Sequence, residues 1–391
     1  MKKSIIILSA VALLAAICTD TSAQTKRLRD YGIKPGVMKT GTWNAITDVP
    51  GVKVGQVTLK GPDKNTGVTA IIPHEGNLFK LKTPAAFYVG NGFGKLAGTT
   101  QVGELGNIET PVILTNTLSV AEGIAGAVEY TLDNNPGVMS VNAVVGETND
   151  ATLNNIRARY VTKEDVRKAI SLAKDGPVEE GCVGAGAGTR AFGFKAGIGT
   201  SSRVLPAALG GYTVGVLVQA NFGGVLQIDG VPVGKLLGKY DFKSDIEKDN
   251  ALASRDGSAL NDVDGSCMII VVTDAPVDAR NLERMAKRAI MGLAQTGGIA
   301  SNGSGDYVIA MSVCKENLID SSTPKYTPVL MHNDDMSALF LATIEATSEA
   351  IWNSLFAAED TYGNGHSSKA IDKEKVARYV LDTYKALGIN Q

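Results

Sequence analysis

Apolar residues in this chain fall into short runs bounded by glycine, a pattern typical of buried β-strands. Such runs predict strands at residues 52–58, 69–72, 143–145, 212–218, 268–272 and 307–313. Elsewhere apolar residues recur every three or four positions, which is the spacing of an amphipathic helix. This spacing predicts helices at residues 163–174, 278–295, 334–358 and 373–387. The alternation predicts a layered α/β protein with sheets packed between helices.

The segment 238–264 breaks this pattern with a dense run of charged and polar residues. Such a composition predicts a surface insertion or a flexible loop. It either covers a functional site or is a solvated excursion from the fold. The glycine-rich run at 184–188 matches neither the dinucleotide-binding nor the P-loop pattern, so we interpret it as a tight turn or a close-packing site.

The N-terminus has the features of a secretory signal. Two lysines precede an apolar run at residues 5–17, and a small-residue segment ends at Ala23. This order predicts a signal peptide at 1–23 that is cleaved after Ala23, giving a periplasmic or secreted protein. The alternative, lipidation at Cys18, is disfavoured because bulky Ile17 precedes that cysteine. The remaining chain, 24–391, is predicted to form one domain without a membrane span.

The net charge, the cysteines and the histidines exclude several classes of function. A formal net charge of −2 gives no electrostatic reason to expect nucleic-acid or membrane binding. The cysteines form no CxxC pair, and the three histidines form no metal or triad motif. We therefore expect no metal ion and no organic cofactor. An enzyme built on this sequence takes its base from a group other than histidine.

A serine lies between a predicted helix and a predicted strand, in the sequence Asn302-Gly303-Ser304-Gly305-Asp306. At such a junction a serine hydroxyl can attack the preceding carbonyl, and scission would give Ser304 a free α-amino group. The serine would then be the nucleophile and its own amine the general base. The alternative is an ordinary turn, which favours the same small residues.

Seven ordered segments support the first interpretation. They are DVPGVKVG at 48–55, GNGFGK at 90–95, GETND at 146–150, GIGTSSRV at 197–204, VQANFG at 218–223, TDAP at 273–276 and GSGD at 303–306. In this order the chain resembles the family of DmpA-type L-aminopeptidase/D-esterases and β-peptidyl aminopeptidases. The resemblance runs from about residue 27 to the C-terminal helix.

The resemblance implies a four-layer αββα sandwich, like that of N-terminal-nucleophile hydrolases but with different strand connectivity. It implies self-cleavage between Gly303 and Ser304, giving chains 24–303 and 304–391, with Ser304 as nucleophile. A neutral α-amine near pH 7 to 8 can accept the hydroxyl proton. The implied activity removes N-terminal residues from short peptides, amides or esters. The family also implies a homo-oligomer, a tetramer or an octamer.

Further site residues follow from the same resemblance. Asn221 matches the family's oxyanion-hole position, where an amide N–H stabilises the tetrahedral intermediate. Glu147 matches the carboxylate near the substrate's free amine. Asn149 stands where the family has a tyrosine whose hydroxyl reaches the active site. This departure prevents a choice among α-, β- and D-amino acyl substrates.

A hydroxyl and a carboxylate on the helix after the nucleophile orient the reacting serine in the resembled family. The closest match by spacing is Thr343 with Glu345, where threonine keeps the hydroxyl. Thr347 with Glu349 repeats the pattern one helical turn later, so both registers stay open. A carboxylate near the amine would favour its protonated form.

Two other functions are consistent with the same motifs. One is a self-processing acyltransferase of the ornithine acetyltransferase type, against which the serine and the predicted signal peptide both weigh. The other is an inactive secreted relative that binds peptides, which the change at Asn149 keeps open.

Overall fold

The structure is a computed structural model that describes residues 25–248 and 265–389. The predicted signal peptide, with Cys18, and residues 249–264 of the predicted insertion lie outside the described residues. The part of the insertion that is described contains the short helix Lys243–Lys248.

Within the described residues the strands, numbered β1 to β16 in chain order, are Lys53–Gly61, Lys64–Ile72, Leu81–Gly92, Leu96–Ala97, Asn107–Ile108, Val112–Asn116, Val144–Thr148, Arg190–Ala191, Phe194–Lys195, Ile198–Val204, Thr213–Asn221, Ser266–Thr273, Gly305–Ser312, Ile319–Asp320, Thr361–Gly363 and His366–Ser368. The α-helices of the same residues, α1 to α8, are Thr99–Leu105, Val120–Asp133, Lys163–Ser171, Val233–Leu236, Lys243–Lys248, Ala279–Gln295, Ser337–Phe356 and Lys373–Leu387.

Two sheets form the centre of the molecule. The first has the strand order β1-β2-β6-β7-β4, and the second has the order β10-β11-β12-β13-β3-β14 with β5 beside β3. An apolar core between them joins residues such as Leu114 and Val144 of the first sheet to Met268 and Ile309 of the second. Helices α2 and α3 cover the first sheet, and α6 and α7 cover the second. This confirms the predicted four-layer αββα architecture.

The predicted elements are present, and most differences are at their ends. Helix α8 has the predicted bounds. Helix α6 begins one residue late because the Asp278 side chain caps it by accepting from the backbone N–H of Asn281. Helix α7 begins at Ser337, because Asn333–Met336 forms a tighter 3-10 turn. Strand β13 begins two residues early, at Gly305, directly after the candidate nucleophile.

The second sheet brings four strand ends together at one edge. Asn221 of β11 pairs with Ser266 of β12, Ser266 with Gly305 of β13, and Gly305 with Gly92 of β3. Strands β12 and β13 are parallel, so both begin at this edge. The site described next lies here. Among the described helices, none is long and apolar enough to cross a membrane.

Candidate active site at the edge of the second sheet

Ser304 is a buried residue at the end of a turn that comes in from the surface. Asn302 is exposed, whereas Ser304 is only 1% exposed. The Ser304 backbone N–H donates to the carbonyl of Ser301 at 2.9 Å, and its own carbonyl accepts from the N–H of Phe93 at 3.1 Å. The predicted scission point is therefore held by hydrogen bonds on both sides of Ser304.

The side chain of Asn91 fixes the same turn. Its amide nitrogen donates to the carbonyl oxygens of Ser301 at 2.9 Å and Asn302 at 3.2 Å, and also to that of Ser304. Ala300, which directly precedes Ser301, has a φ of 46°. This left-handed conformation costs a non-glycine residue about 1 kcal/mol. The backbone before the scission point is thus both pinned and strained.

The hydroxyl of Ser304 has one acceptor among the described residues, the carboxylate of Asp306. The distance from Ser304 Oγ to Asp306 Oδ1 is 2.9 Å. Asp306 is 0% exposed, and burial raises its pKa to about 6, although hydrogen bonding from the Ser304 hydroxyl and from the Cys267 backbone N–H lowers it. No described residue donates to its other oxygen, Oδ2. Burial raises the pKa of the Cys267 thiol, and the charge of Asp306 raises it further.

Asn221 lies at the same edge, two strands away from Gly305. Strands are about 4.8 Å apart, so the two Cα atoms are about 10 Å apart. The Asn221 side-chain oxygen accepts from the backbone N–H of Arg190 at 3.1 Å. This bond orients the amide, because its nitrogen must then point away from Arg190. That nitrogen is the group an oxyanion hole needs.

Glu147, at the end of β7, approaches the site from the first sheet. It is buried, and its carboxylate accepts from the Lys95 backbone N–H at 3.0 Å and from the Thr117 hydroxyl. The Lys95 ammonium lies 3.1 Å from the same carboxylate. Glu147 therefore pairs with Lys95 in this structure, and its role in recognising the substrate's amine stays a prediction.

Tyr307 connects the two parts of the site. A Cβ atom placed on Gly305 would lie 3.0 Å from its ring, and one placed on Gly94 would lie 3.4 Å from its hydroxyl and 2.9 Å from Glu147. At Gly305 the same Cβ atom would also lie 2.7 Å from the backbone carbonyl oxygen of Phe93, so only glycine fits there. Burial raises the pKa of Tyr307, and the charges of Glu147 and Asp306 raise it further. The phenol stays protonated at neutral pH and can donate a hydrogen bond.

Asn149, which replaces the tyrosine of the resembled family, is exposed. Its side-chain oxygen accepts from the backbone N–H of Ala151 at 2.9 Å, which makes it part of a local turn. Nothing in this arrangement brings its amide to Ser304.

Thr343 and Glu345 are not brought to Ser304 in the continuous chain. The Thr343 hydroxyl donates back to the carbonyl of Leu339 in its own helix at 2.7 Å. The Glu345 carboxylate accepts from the backbone N–H of Val37 at 2.9 Å and pairs with Arg203 at 2.8 Å. The contact between Glu345 and Arg203 is with strand β10.

Strand pairing in the second sheet shows how far Arg203 lies from the nucleophile. Arg203 pairs with Val214, Val214 with Thr273, and Thr273 with Ser312. Ser312 is at the opposite end of β13 from Gly305, about 23 Å along the strand, and β10 is about 14 Å away across the sheet. Either separation exceeds the reach of a glutamate side chain.

In the alternative register, Glu349 is in the same buried network, whereas the Thr347 hydroxyl donates to the carbonyl of Thr343 in its own helix at 2.7 Å. Glu349 pairs with Arg203 at 2.8 Å and with Arg29 at 2.6 Å, and accepts from the Asn44 side chain at 2.6 Å. Burial alone would raise the pKa of Glu349, but the charges of Arg203 and Arg29 hold it below its usual value. Both glutamates therefore hold the N-terminal segment against helix α7.

Sequence reasoning assigned no role to Asn91, Asp306, Tyr307 or Lys95. A usable signal existed for Asp306, because it is the one carboxylate in an otherwise uncharged interior strand. Asn91 and Lys95 lie in the segment GNGFGK, but their contacts with the turn and with Glu147 depend on tertiary structure. The described residues contain no cluster of three or more histidine, cysteine, aspartate or glutamate side chains placed to hold a metal ion.

A buried serine at a sheet edge, an oriented amide two strands away and an αββα core together define a serine-type hydrolase. The profile of Peptidase family S58 matches residues 44–368. The chain belongs to Peptidase family S58, and it is a serine-type aminopeptidase.

Similar proteins agree with this assignment. The chain is 39% identical over 381 residues to the beta-peptidyl aminopeptidase BapA of Sphingosinicella microcystinivorans, with 94% of each chain covered. A Burkholderia sp. beta-aminopeptidase structure superposes with a TM-score of 0.81 and 35% identity, covering 94% of this chain and 100% of that one. The L-aminopeptidase D-Ala-esterase/amidase of Ochrobactrum anthropi, described as a new variant of the Ntn hydrolase fold, gives a TM-score of 0.79 and 33% identity, covering 92% and 99%.

Proposed function

We propose that this aminopeptidase cleaves itself between Gly303 and Ser304 and then removes N-terminal residues from short peptides, amides or esters. Ser304 forms the acyl-enzyme, and its new α-amine is the base that takes the hydroxyl proton. The observation that carries the proposal is the buried Ser304, which follows a pinned, strained turn and begins an interior strand.

Two other groups complete the proposed reaction. The Asn221 amide donates to the oxyanion of the tetrahedral intermediate, and loss of such a donor costs about 100- to 1000-fold in kcat. Glu147 binds the free ammonium of the substrate, exchanging the Lys95 cation for it. Because two of the three named relatives are a beta-peptidyl aminopeptidase and a beta-aminopeptidase, we propose β-amino acyl substrates first and α- and D-amino acyl substrates as alternatives.

The test is a gel and a substrate panel. The mature chain should give two bands, the smaller with Ser304 as its first residue, and Ser304→Ala should give one. Amino-acyl p-nitroanilides of the three classes then measure specificity, with Ser304→Ala as the blank. A single uncut band that persists after prolonged incubation would refute the self-processing proposal.

The helper role of Thr343 and Glu345 stays a prediction, and Glu345→Gln tests it. Because Glu345 is bound to Arg203, we expect this change to lower the free energy of unfolding while kcat stays within about threefold. A kcat loss of about 100-fold at unchanged stability would instead support the helper role.

We further propose that the protein is exported by its N-terminal signal and assembles into a homo-oligomer. N-terminal sequencing of the periplasmic fraction tests the first point, with Gln24 expected as the first residue. Light scattering tests the second, and a mass near that of one protomer would contradict it.

A further inference from the structure

Self-cleavage and later turnover cannot use the same base. Before scission the nitrogen of Ser304 is an amide, and it donates to the Ser301 carbonyl at 2.9 Å. An amide nitrogen has no basic lone pair, so it cannot take the hydroxyl proton. The first reaction of this chain therefore needs a base that the α-amine cannot supply.

The geometry points to Asp306 as that base. Its Oδ1 accepts the Ser304 hydroxyl at 2.9 Å, so the proton to be removed already lies in a hydrogen bond to a carboxylate. Both residues are buried, which excludes bulk water as a competing acceptor at this position. We propose that Asp306 takes this proton during self-cleavage and returns it to the leaving nitrogen, an inference that rests on the proposed self-processing.

The surroundings of Asp306 favour proton uptake. No described residue donates to its Oδ2, so the carboxylate is incompletely stabilised when it is charged. Burial accordingly raises its pKa to about 6, close to the working range of a general base. Its ionisable neighbours are the Cys267 thiol on β12 and the Tyr307 phenol on β13. From β3 the paired residue is Asn91, which does not titrate.

The proposed self-cleavage has two stages, formation of an ester and its hydrolysis. Ser304 Oγ bonds to the carbonyl carbon of Gly303, and its proton moves to Asp306. The bond from that carbon to the Ser304 nitrogen then breaks, and the proton moves from Asp306 to the nitrogen, leaving an ester and an amine. Water adds to the ester carbon, Oγ leaves and takes a proton, and Gly303 becomes a carboxyl group. One peptide bond and one water are converted into one carboxyl group and one amine.

The test follows cleavage of the full chain made by cell-free translation and quenched at intervals onto a denaturing gel. Asp306→Asn keeps the size of the side chain but cannot accept a proton, so we expect cleavage at least about 100-fold slower. Asp274→Asn is the matched control. It removes a half-buried carboxylate that lies beyond the far end of β12 and accepts from the Thr213 backbone N–H at 2.7 Å, so cleavage should keep its rate.

Hydroxylamine separates the two halves of the reaction, because it cleaves esters directly. It should not rescue Asp306→Asn, since without the base no ester forms. Rescue would show that the ester forms without Asp306 and would overturn the proposal.

The pH dependence of the wild-type rate is a second measurement that does not depend on how well the variant folds. Cleavage at pH 5 should be about 10-fold slower than at pH 7.5, as expected for a base with a pKa near 6. A rate that is constant between pH 5 and 8 would overturn the proposal, as would an Asp306→Asn chain that is cut as fast as wild type. If the wild-type chain is not cut at all, the proposed function fails instead.

Discussion

Asp306→Asn should stabilise the fold at alkaline pH, although we expect it to slow self-cleavage. The change is best made in a Ser304→Ala background, so that both proteins remain single chains. Asp306 is 0% exposed, and its Oδ2 accepts no hydrogen bond from the described residues. A charged carboxylate in that position is costly, and an amide of the same size removes the charge.

The magnitude follows from the pKa. Burial raises the pKa of Asp306 from 3.8 to about 6. At 1.36 kcal/mol per pH unit, this difference corresponds to about 3 kcal/mol. Because the folded-state pKa lies above the unfolded one, the contribution to stability is complete below about pH 4 and is lost as pH rises through 6. The hydrogen bond from Ser304 lowers the pKa of Asp306. Its loss in the Ser304→Ala background therefore does not reduce the expected effect.

The assay is urea unfolding followed by circular dichroism between pH 4 and pH 8. The free energy of unfolding of Ser304→Ala/Asp306→Asn, relative to Ser304→Ala alone, should increase by about 3 kcal/mol from pH 4 to pH 8. Burial also raises the pKa of Glu180 and Asp150, each to about 7, but both groups are present in both proteins and cancel in the difference. An equal difference at pH 4 and pH 8 would show that Asp306 titrates normally and would refute the argument.

Three further substitutions test other parts of the site. Lys95→Met removes the cation bound to Glu147, so KM for an aminoacyl substrate should fall up to about fivefold at unchanged kcat, measured by steady-state kinetics. Ala300→Gly relieves a φ of 46° and should change the free energy of unfolding of uncut Ser304→Ala by less than about 1 kcal/mol, in the stabilising direction. Glu349→Gln leaves Arg203 and Arg29 incompletely paired and should cost about 3 to 5 kcal/mol in urea unfolding, because Glu349 is fully buried.

Local patterns predicted the elements that have a strong periodic signal, but they gave no prediction for strands β3, β6 and β10 or for helix α2. The apolar spacing predicted helix α8 at both ends, and in the structure Asp372 caps its start and Gly388 ends it. Strand β13 was predicted too short because Gly305 and Asp306 do not look like strand residues. They are in the strand because they pair with β12 and β3, which is a tertiary effect.

The site was predictable only where sequence order and strand position coincide. Ser304 was predicted from its position between a helix and a strand, and Asn221 from the family resemblance. Their meeting at one sheet edge depends on the pairing of β11, β12 and β13. The Thr-x-Glu spacing occurs in two registers, and neither spacing nor periodicity tells which face of helix α7 meets Arg203. That contact comes from β10, more than a hundred residues away in sequence, and only the fold brings it there.

The buried charges around Arg203 would connect the two chains that the proposed self-cleavage gives. Scission after Gly303 would leave β13 and helix α7 in a separate chain. Strand β13 would remain hydrogen-bonded on both sides, to β12 and to β3, and α7 would remain tied through Glu345 and Glu349 to arginines of the first chain. Buried ion pairs add little net stability but are costly to break singly, so they fix one arrangement of the two chains. Glu345 and Glu349 would thus hold the chain that begins at Ser304 against the first chain after the cut.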